Sequence, residues 1–541
     1  MLVWAAFSEN VLADWRHAQR HVARSLPPDA HLQVQLRQIV VPALHVTDRC
    51  VSCHVGMAPG ETGIPGDRIY GKHPAVVHDP AEMGCTPCHG GQGRATTKAD
   101  AHGDVPHWPE PMIPRRHAYA GCGSCHTHLQ VPNLAELARG RTLVERHDCL
   151  ACHRIDGRGG TLRPGGAGGG EGPDLSRVGT RGFRDDWYPD HLRRRELPVA
   201  PGGLPWKAAF GPVPDADRSA IDAYLRSRTG APGLVEAKAL FHSLGCRGCH
   251  KVHGVGGDDG PDLSRAGQKD PGQTSFAGVP GERTIARWHA EHLRDPEEVV
   301  PKSPMPALAL SPTEIDQLVL YLLSLRSAGA SEAFWPRDRM QAVRLGEREF
   351  AADGATLYGH FCSACHGTSG EGIRYGTQPA FPAIANRDFL AIASDEFLTA
   401  AVEHGRPGRR MPAWGGKEGG LRPAEIKEVV RHLRRVGGVA AEPDPKPARW
   451  VKADPSAGRV LYAQACAPCH GAQGQGGEGV ALRNRALLAS ATDTYLVETI
   501  RRGRRGTTMG PFAQGGPTFR ALAPDEIESI VAFLRAWEDK P

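Results

Sequence analysis

All 14 cysteines of this 541-residue chain fall into seven Cys-x-x-Cys-His units. They are Cys50/Cys53/His54, Cys85/Cys88/His89, Cys122/Cys125/His126, Cys149/Cys152/His153, Cys246/Cys249/His250, Cys362/Cys365/His366 and Cys466/Cys469/His470. Two thiols at this spacing span one edge of a porphyrin and add to its two vinyl groups. The histidine that follows reaches the iron as proximal ligand. A redox dithiol or half a zinc site also uses Cys-x-x-Cys, but neither requires histidine next. With 26 histidines in the chain, seven chance placements have odds on the order of one in a billion. A disulfide framework would close tiny strained loops seven times over. The sequence therefore predicts seven covalently bound haem c groups.

That prediction resolves an oddity of composition. The chain is too long for one core and suggests three to five domains. Yet only 40% of its residues are apolar, with 66 glycines and 45 prolines. Haem supplies the missing apolar mass, so the loaded protein should fold around its cofactors and the bare chain should not. The formal charge of +5 is offset by two propionates per haem, and each ferric iron restores about one positive charge, which leaves the oxidised protein close to neutral and argues against a nucleic-acid partner.

The chain reads as mainly α, in two textures. Residues 1–42 form an N-terminal segment, with an amphipathic helix expected over 8–40 (Trp15, Val22, Leu26, then Leu32, Leu36 and Ile39 beyond Pro27-Pro28). Residues 43–134 carry three haem motifs, too close together for separate globules. This irregular, His-rich module must pack its haems against one another. Four tandem one-haem units follow, at 135–231, 232–328, 341–438 and 449–541. Each opens with a short helix into its motif and closes with an amphipathic helix, such as Glu314–Leu322 or Glu526–Leu534. Gly354 and Gly458 stand in two of the opening helices, where a helix crossing would need close backbone approach.

The sixth iron ligand decides the chemistry. Met305, Met411 and Met509 each lie in a Pro/Gly-rich loop between a motif and its closing helix, where a distal ligand belongs. The fourth unit differs. It aligns with the fifth through Gly172-Pro-Asp-Leu-Ser176 and Gly260-Pro-Asp-Leu-Ser264, then through Trp187-x-x-x-His191 and Trp288-x-x-x-His292. Where the fifth unit has Met305-Pro306 the fourth has Leu204-Pro205. Haem four is then five-coordinate, or another group such as His191 or Lys207 fills in. The shared position of His191 and His292 points to a structural or propionate-binding role for both. In the triple-haem module the expected distal ligands are three of His73, His78, His102 and His107, with the pairing left open. The basic runs Arg193–Arg195 and Arg501–Arg505 read as solvated faces.

The one-haem units resemble class I cytochrome c domains, in which first and last helices cross and grip the haem. The Gly-Pro-Asp-Leu-Ser…Trp…His-Leu…Pro-Met-Pro pattern is similar to the monohaem subunit of cbb3-type oxidases. Thr47–Gly56, His73-Pro74, Gly84–Thr97 and Ala101–Gly103 resemble multihaem c subunits of bacterial quinol-oxidising cytochrome bc-type complexes. These resemblances imply an electron-transfer subunit without independent catalysis. Its partners would be a cytochrome b-type or other membrane redox subunit and a soluble or oxidase-bound acceptor. They imply placement on the periplasmic side of the bacterial inner membrane, or else soluble in the periplasm or outside the cell. Leu2–Phe7 is apolar but too short to span a membrane and reads as the stub of an N-terminal anchor or else as a plain helix start. The rival function is a haem enzyme with an open haem four that binds or reduces peroxide, nitric oxide or nitrite. Leu204, Trp206 and Phe210 beside Lys207 make that distal side mostly apolar, which disfavours peroxide chemistry.

Overall fold

The computed structural model describes residues 3, 4, 7, 11–74, 76–160, 172–180, 187–194, 212–326, 331–376, 380–517 and 519–538. It is mainly helical, with three short two-stranded antiparallel ribbons among the described residues. None of the helices described is long and apolar enough to cross a membrane. The chain forms two compact units: Met1–Leu240 with Arg265–Glu349, and Phe241–Ser264 with Phe350–Pro541.

In the first unit, α1 (Asp14–Ser25) buries Trp15, Ala18, Gln19 and Val22. The expected continuation of this helix to residue 40 does not form. Residues 31–38 form neither helix nor strand, and Ile39–Val41 pairs with Val46–Asp48 as a hairpin. The Pro27-Pro28 step stops the helix, and side chains then hold the following backbone out. The buried Gln19 amide accepts from Gln35 N–H at 2.9 Å and donates to the carbonyls of Gln35 and Ser52 at 2.8 and 2.9 Å. Ser52, between the first pair of motif cysteines, accepts from Arg37 N–H and donates to Arg37 C=O. A helix here would leave these buried polar groups unsatisfied.

Further along, α2 (Leu134–Arg146), α3 (Trp187–Arg194) and α4 (Asp215–Ser227) surround the fourth motif. α2 and α4 cross at Gly140, where a Cβ would run into the carbonyl of Ala220. The chain leaves the first unit within α5 (Pro232–Ser243) and returns to form α6 (Ile285–Arg294) and α7 (Pro312–Ser324). α7 starts in a Ser311/Glu314 capping box and is buried on almost every side from Leu318 to Ser324. A helix apolar all round needs more than one neighbour. α7 meets Gly233 at the start of α5, and it also covers the Arg115–Ser124 segment that leads into the third motif. Gly123 lies against the carbonyl of Ser324, and the buried His117 Nε2 is 2.9 Å from the Asp316 carboxylate. The closing helix of the fifth repeat thus also serves the triple-haem module, a role its periodicity did not announce.

In the second unit, α8 (Gly354–Phe361) crosses α11 (Pro423–Gly437), and α12 (Pro455–Ala465) crosses α15 (Pro524–Arg535). Gly354 faces the Glu428 carbonyl and Gly458 the Ser529 carbonyl, both too close for a Cβ. Between them, α9 (Arg387–Ile392) packs on α14 (Asp493–Arg502) and α10 (Asp395–His404) on α13 (Arg485–Ser490). This reciprocal pairing makes one core from two repeats: Phe389, Leu390, Phe397 and Leu398 meet Leu488, Tyr495 and Leu496. The Phe397 and Tyr495 rings are 4.4 Å apart. The basic run Arg501–Arg505 proves to be part of this joint. Arg505 pairs with Asp388 at 2.7 Å, Arg502 with Glu442 at 2.7 Å, and Arg504 donates to the Tyr495 hydroxyl at 2.9 Å.

Candidate haem-binding sites

All seven motifs adopt the same single helical turn. The histidine N–H donates to the carbonyl of the first cysteine at 2.8–3.0 Å in each. One such turn brings residues three apart to the same side, so both sulfurs face one way with the imidazole beside them. None of the 14 cysteines is in a disulfide.

The 14 cysteines are not equally sheltered, and Cys469 stands apart. It is exposed, whereas the other 13 are buried or half-buried. The reason lies in what covers each one. Cys365, at the same place in the sixth motif, is shielded by Cys249 of the fifth. The loop of Gly477 and Gly479 lies against the Cys469 backbone, and the Gly479 N–H donates to the Cys469 carbonyl at 2.9 Å. These glycines bring backbone up to the motif but no side chain over the thiol. Cys469 keeps the spacing and turn of a haem-binding cysteine, but at the solvent rim of its site.

Five motif imidazoles are oriented by a backbone carbonyl. Nδ1 lies 3.0 Å from Ile69 O in His54, 2.9 Å from Pro173 O in His153, and 2.8 Å from Pro261 O in His250. The distances are 2.9 Å to Pro382 O for His366 and 2.7 Å to Val480 O for His470. A carbonyl on Nδ1 fixes the tautomer and leaves Nε2 with its lone pair outward, as iron ligation requires. Burial lowers the pKa of His89, His250, His366 and His470, which favours the neutral ring.

The repeated Gly-Pro-Asp-Leu-Ser is explained by this seat. Gly172 lies so close to the His153 ring that a Cβ would be 2.6 Å from its Nδ1; Gly260 backs His250 in the same way. The proline carbonyl holds Nδ1. Asp174 and Asp262 accept from Ser176 and Ser264 N–H at 2.8 Å, closing the turn. The serine hydroxyls accept from Asp156 N–H and His253 N–H at 2.8 Å. In the seventh motif Gly479 takes the glycine's place, 2.7 Å from a Cβ to the His470 ring.

The motifs of each unit also meet one another. Asp48, 1% exposed, ends the second strand of the first ribbon and caps the second motif, accepting from Cys85 N–H at 2.5 Å and Thr86 N–H at 2.9 Å. The sulfurs of Cys50 and Cys85 are within hydrogen-bond reach. Gly121 lies on the carbonyl of Cys88, joining motifs two and three. In the second unit Cys249 and Cys365 bring motifs five and six together in the same manner.

The distal candidates divide. His73 faces His89 with ring centres 6.1 Å apart, and His78 faces His126 at 6.3 Å. His102 sits within electrostatic reach of His54. His107, in a left-handed backbone conformation, lies instead against the Gly272 turn. Met305, Met411 and Met509 are half-buried in their loops. The Met411 and Met509 carbonyls accept from Arg406 and Arg504 N–H at 2.8 Å, so the sixth and seventh repeats hold their methionine loops alike. His191 stacks on Trp187 at 5.0 Å and faces His153 edge-on at 6.4 Å. His292 stacks on Trp288 at 4.9 Å. Leu204, Trp206, Lys207 and Phe210 lie outside the described residues.

Paired thiols on one face, an oriented neutral imidazole beside them and glycines kept bare against the ring fit a porphyrin at the motifs. Crossed terminal helices with such a motif between them are the architecture of cytochrome c domains. Residues 137–229 and 234–326 match the cytochrome c family, and 349–433 and 453–534 match cytochrome c oxidase, cbb3-type, subunit III. These cytochrome c domains carry covalently bound haem c and transfer electrons. The chain is 32% identical over 195 residues to cbb3-type cytochrome c oxidase subunit FixP of Bradyrhizobium sp. (strain ORS 278), covering 34% of this chain and 60% of that protein. It is 30% identical over 196 residues to subunit CcoP of Rhodobacter capsulatus, covering 34% and 61%. The chain thus spans about three-fifths of these relatives. The reducing HAO-like protein complex of Kuenenia stuttgartiensis matches at 18% identity and a TM-score of 0.24, covering 34% of this chain and 94% of that one; so slight a likeness carries no argument.

Proposed function

We propose that this chain is a seven-haem electron conduit. It would take electrons from a membrane quinol-oxidising, cytochrome b-type partner and deliver them to a soluble or oxidase-bound acceptor on the periplasmic side. The observation that carries the reading is the contact between successive motifs: Cys50 with Cys85, Gly121 with Cys88, Cys249 with Cys365. Residues that hold cofactors edge to edge serve transfer, whereas a catalytic haem needs room for substrate. An acceptor on the oxidase side is supported by relatives that are themselves cbb3-type oxidase subunits.

Each bound haem supplies a one-electron iron couple. The chain supplies the ligands that set its potential. The seven motif histidines would each hold one haem iron. His102, His73 and His78 would supply the further ligand at haems one, two and three, and Met305, Met411 and Met509 at haems five, six and seven. Methionine opposite histidine raises the potential relative to two histidines. The triple-haem module is therefore the low-potential end and the last two repeats the high-potential end. Potentiometric titration with spectral deconvolution tests this order. Rising potentials from the N-terminal to the C-terminal haems support it, and falling ones reverse the direction of flow.

A further inference from the structure

We propose that His191 is the sixth ligand of the haem-four iron, so that this centre is closed and bis-histidine where its sequence repeat would place methionine. The inference rests on haem being attached at Cys149 and Cys152, and it replaces the open iron that Leu204 suggested.

The separation of two rings carries the argument. Histidine nitrogens bind metals at about 2 Å, so two imidazoles on opposite faces of one iron hold their ring centres about 6 Å apart. His153 and His191 are 6.4 Å apart, with planes at 73°. The separation is wider than the 4.4 Å of the tilted pair His242 and His360. It matches His73 with His89 at 6.1 Å and His78 with His126 at 6.3 Å. All three separations leave room for one metal atom between the rings.

Both rings of the fourth pair are held in place. His153 is fixed from behind by the Pro173 carbonyl at 2.9 Å and by the bare Gly172. His191 is fixed by its stack on Trp187, with 6° between the planes. Trp187 lies one helical turn before His191 on α3, so the stack sets the angle at which the imidazole projects. The same Trp-x-x-x-His pair recurs at Trp288 and His292, in a repeat that has Met305 available. In the fourth repeat the structural histidine has become a ligand, and the methionine position was free to change to Leu204.

The test uses the full haem-loaded chain and its His191→Met and His191→Ala variants, with haem content measured separately by mass. Near-infrared magnetic circular dichroism of the oxidised protein counts bis-histidine and histidine–methionine centres. In His191→Met one centre should move from the first set to the second. The reduced native protein should bind no carbon monoxide, whereas reduced His191→Ala should bind one per chain. His292→Ala removes the equivalent ring–tryptophan stack and should bind none. The proposal is overturned if the native protein contains a high-spin centre that binds carbon monoxide, or if His191→Met leaves both counts unchanged at full haem content. Fewer than seven haems in the native protein would instead count against the seven-haem conduit.

Discussion

Asp48 reaches from the first haem motif to the second: its carboxylate accepts the backbone N–H of Cys85 at 2.5 Å and both the N–H and the hydroxyl of Thr86 at 2.9 Å. The group is buried, so removing it strands donors that water cannot reach. Asp48→Ala should cost about 3 kcal/mol, counting three charge-assisted bonds against the relaxation of an irregular module. The loss should appear as a lower melting temperature and incomplete haem loading at motifs one and two. Normal stability and loading would show that the module is held by its haems alone.

Gly458 sits where α12 crosses α15, with no space before the Ser529 carbonyl. Gly458→Ala should destabilise the seventh repeat by about 1–3 kcal/mol, the usual cost of overpacking a tight contact. Gly359, which has open space around it on α8, is the control. Gly359→Ala should be neutral or stabilising by up to about 1 kcal/mol. Thermal unfolding followed at the haem absorbance separates the two.

Haem removal should unfold the chain. Intact mass of mature protein should exceed the polypeptide by seven haems, and a Cys466→Ser/Cys469→Ser variant by six. Circular dichroism of protein produced without haem attachment should show much less helix than the loaded form. A well-folded haem-free chain would refute the view that cofactors complete its cores.

His289 links stability to pH. Its Nε2 donates to the Ala266 carbonyl at 3.0 Å, and burial pushes its pKa down to about 4. Because the folded protein disfavours the protonated ring, the stabilisation is complete above the unfolded value of about 6.5. It is lost as pH falls towards 4, on the order of 3 kcal/mol in all. His289→Gln keeps a donor but cannot titrate, so its melting temperature should fall less between pH 6.5 and 4. Parallel slopes for the two proteins would assign the acid sensitivity to other groups.

The motif turns, the helix crossings at Gly354 and Gly458 and the irregular N-terminal texture were legible because each follows from local spacing. The exposure of Cys469 was not, because shelter depends on what packs over a motif and not on the motif itself. The continuation of α1 past Pro27-Pro28 was misread. Leu32, Leu36 and Ile39 carry helical spacing, but Gln19 and Ser52 capture that backbone from a distance, and no local pattern announces it. Likewise, nothing in Glu314–Leu322 told that this helix also covers Arg115–Ser124. His191 was in view as a substitute ligand but was read as structural beside His292.

The contact between Cys249 and Cys365 bears on how the loaded chain would store charge. With a porphyrin on each sulfur, the loss of an electron at one iron leaves a positive charge beside the other. The gap between them is protein rather than water, so dissolved ions screen it poorly. The second electron is then harder to remove than the first, and the pair discharges in two spaced steps. With haem at each motif as proposed, a row of such neighbours would act as a graded reservoir, able to fill when donors outrun acceptors and to drain when demand returns.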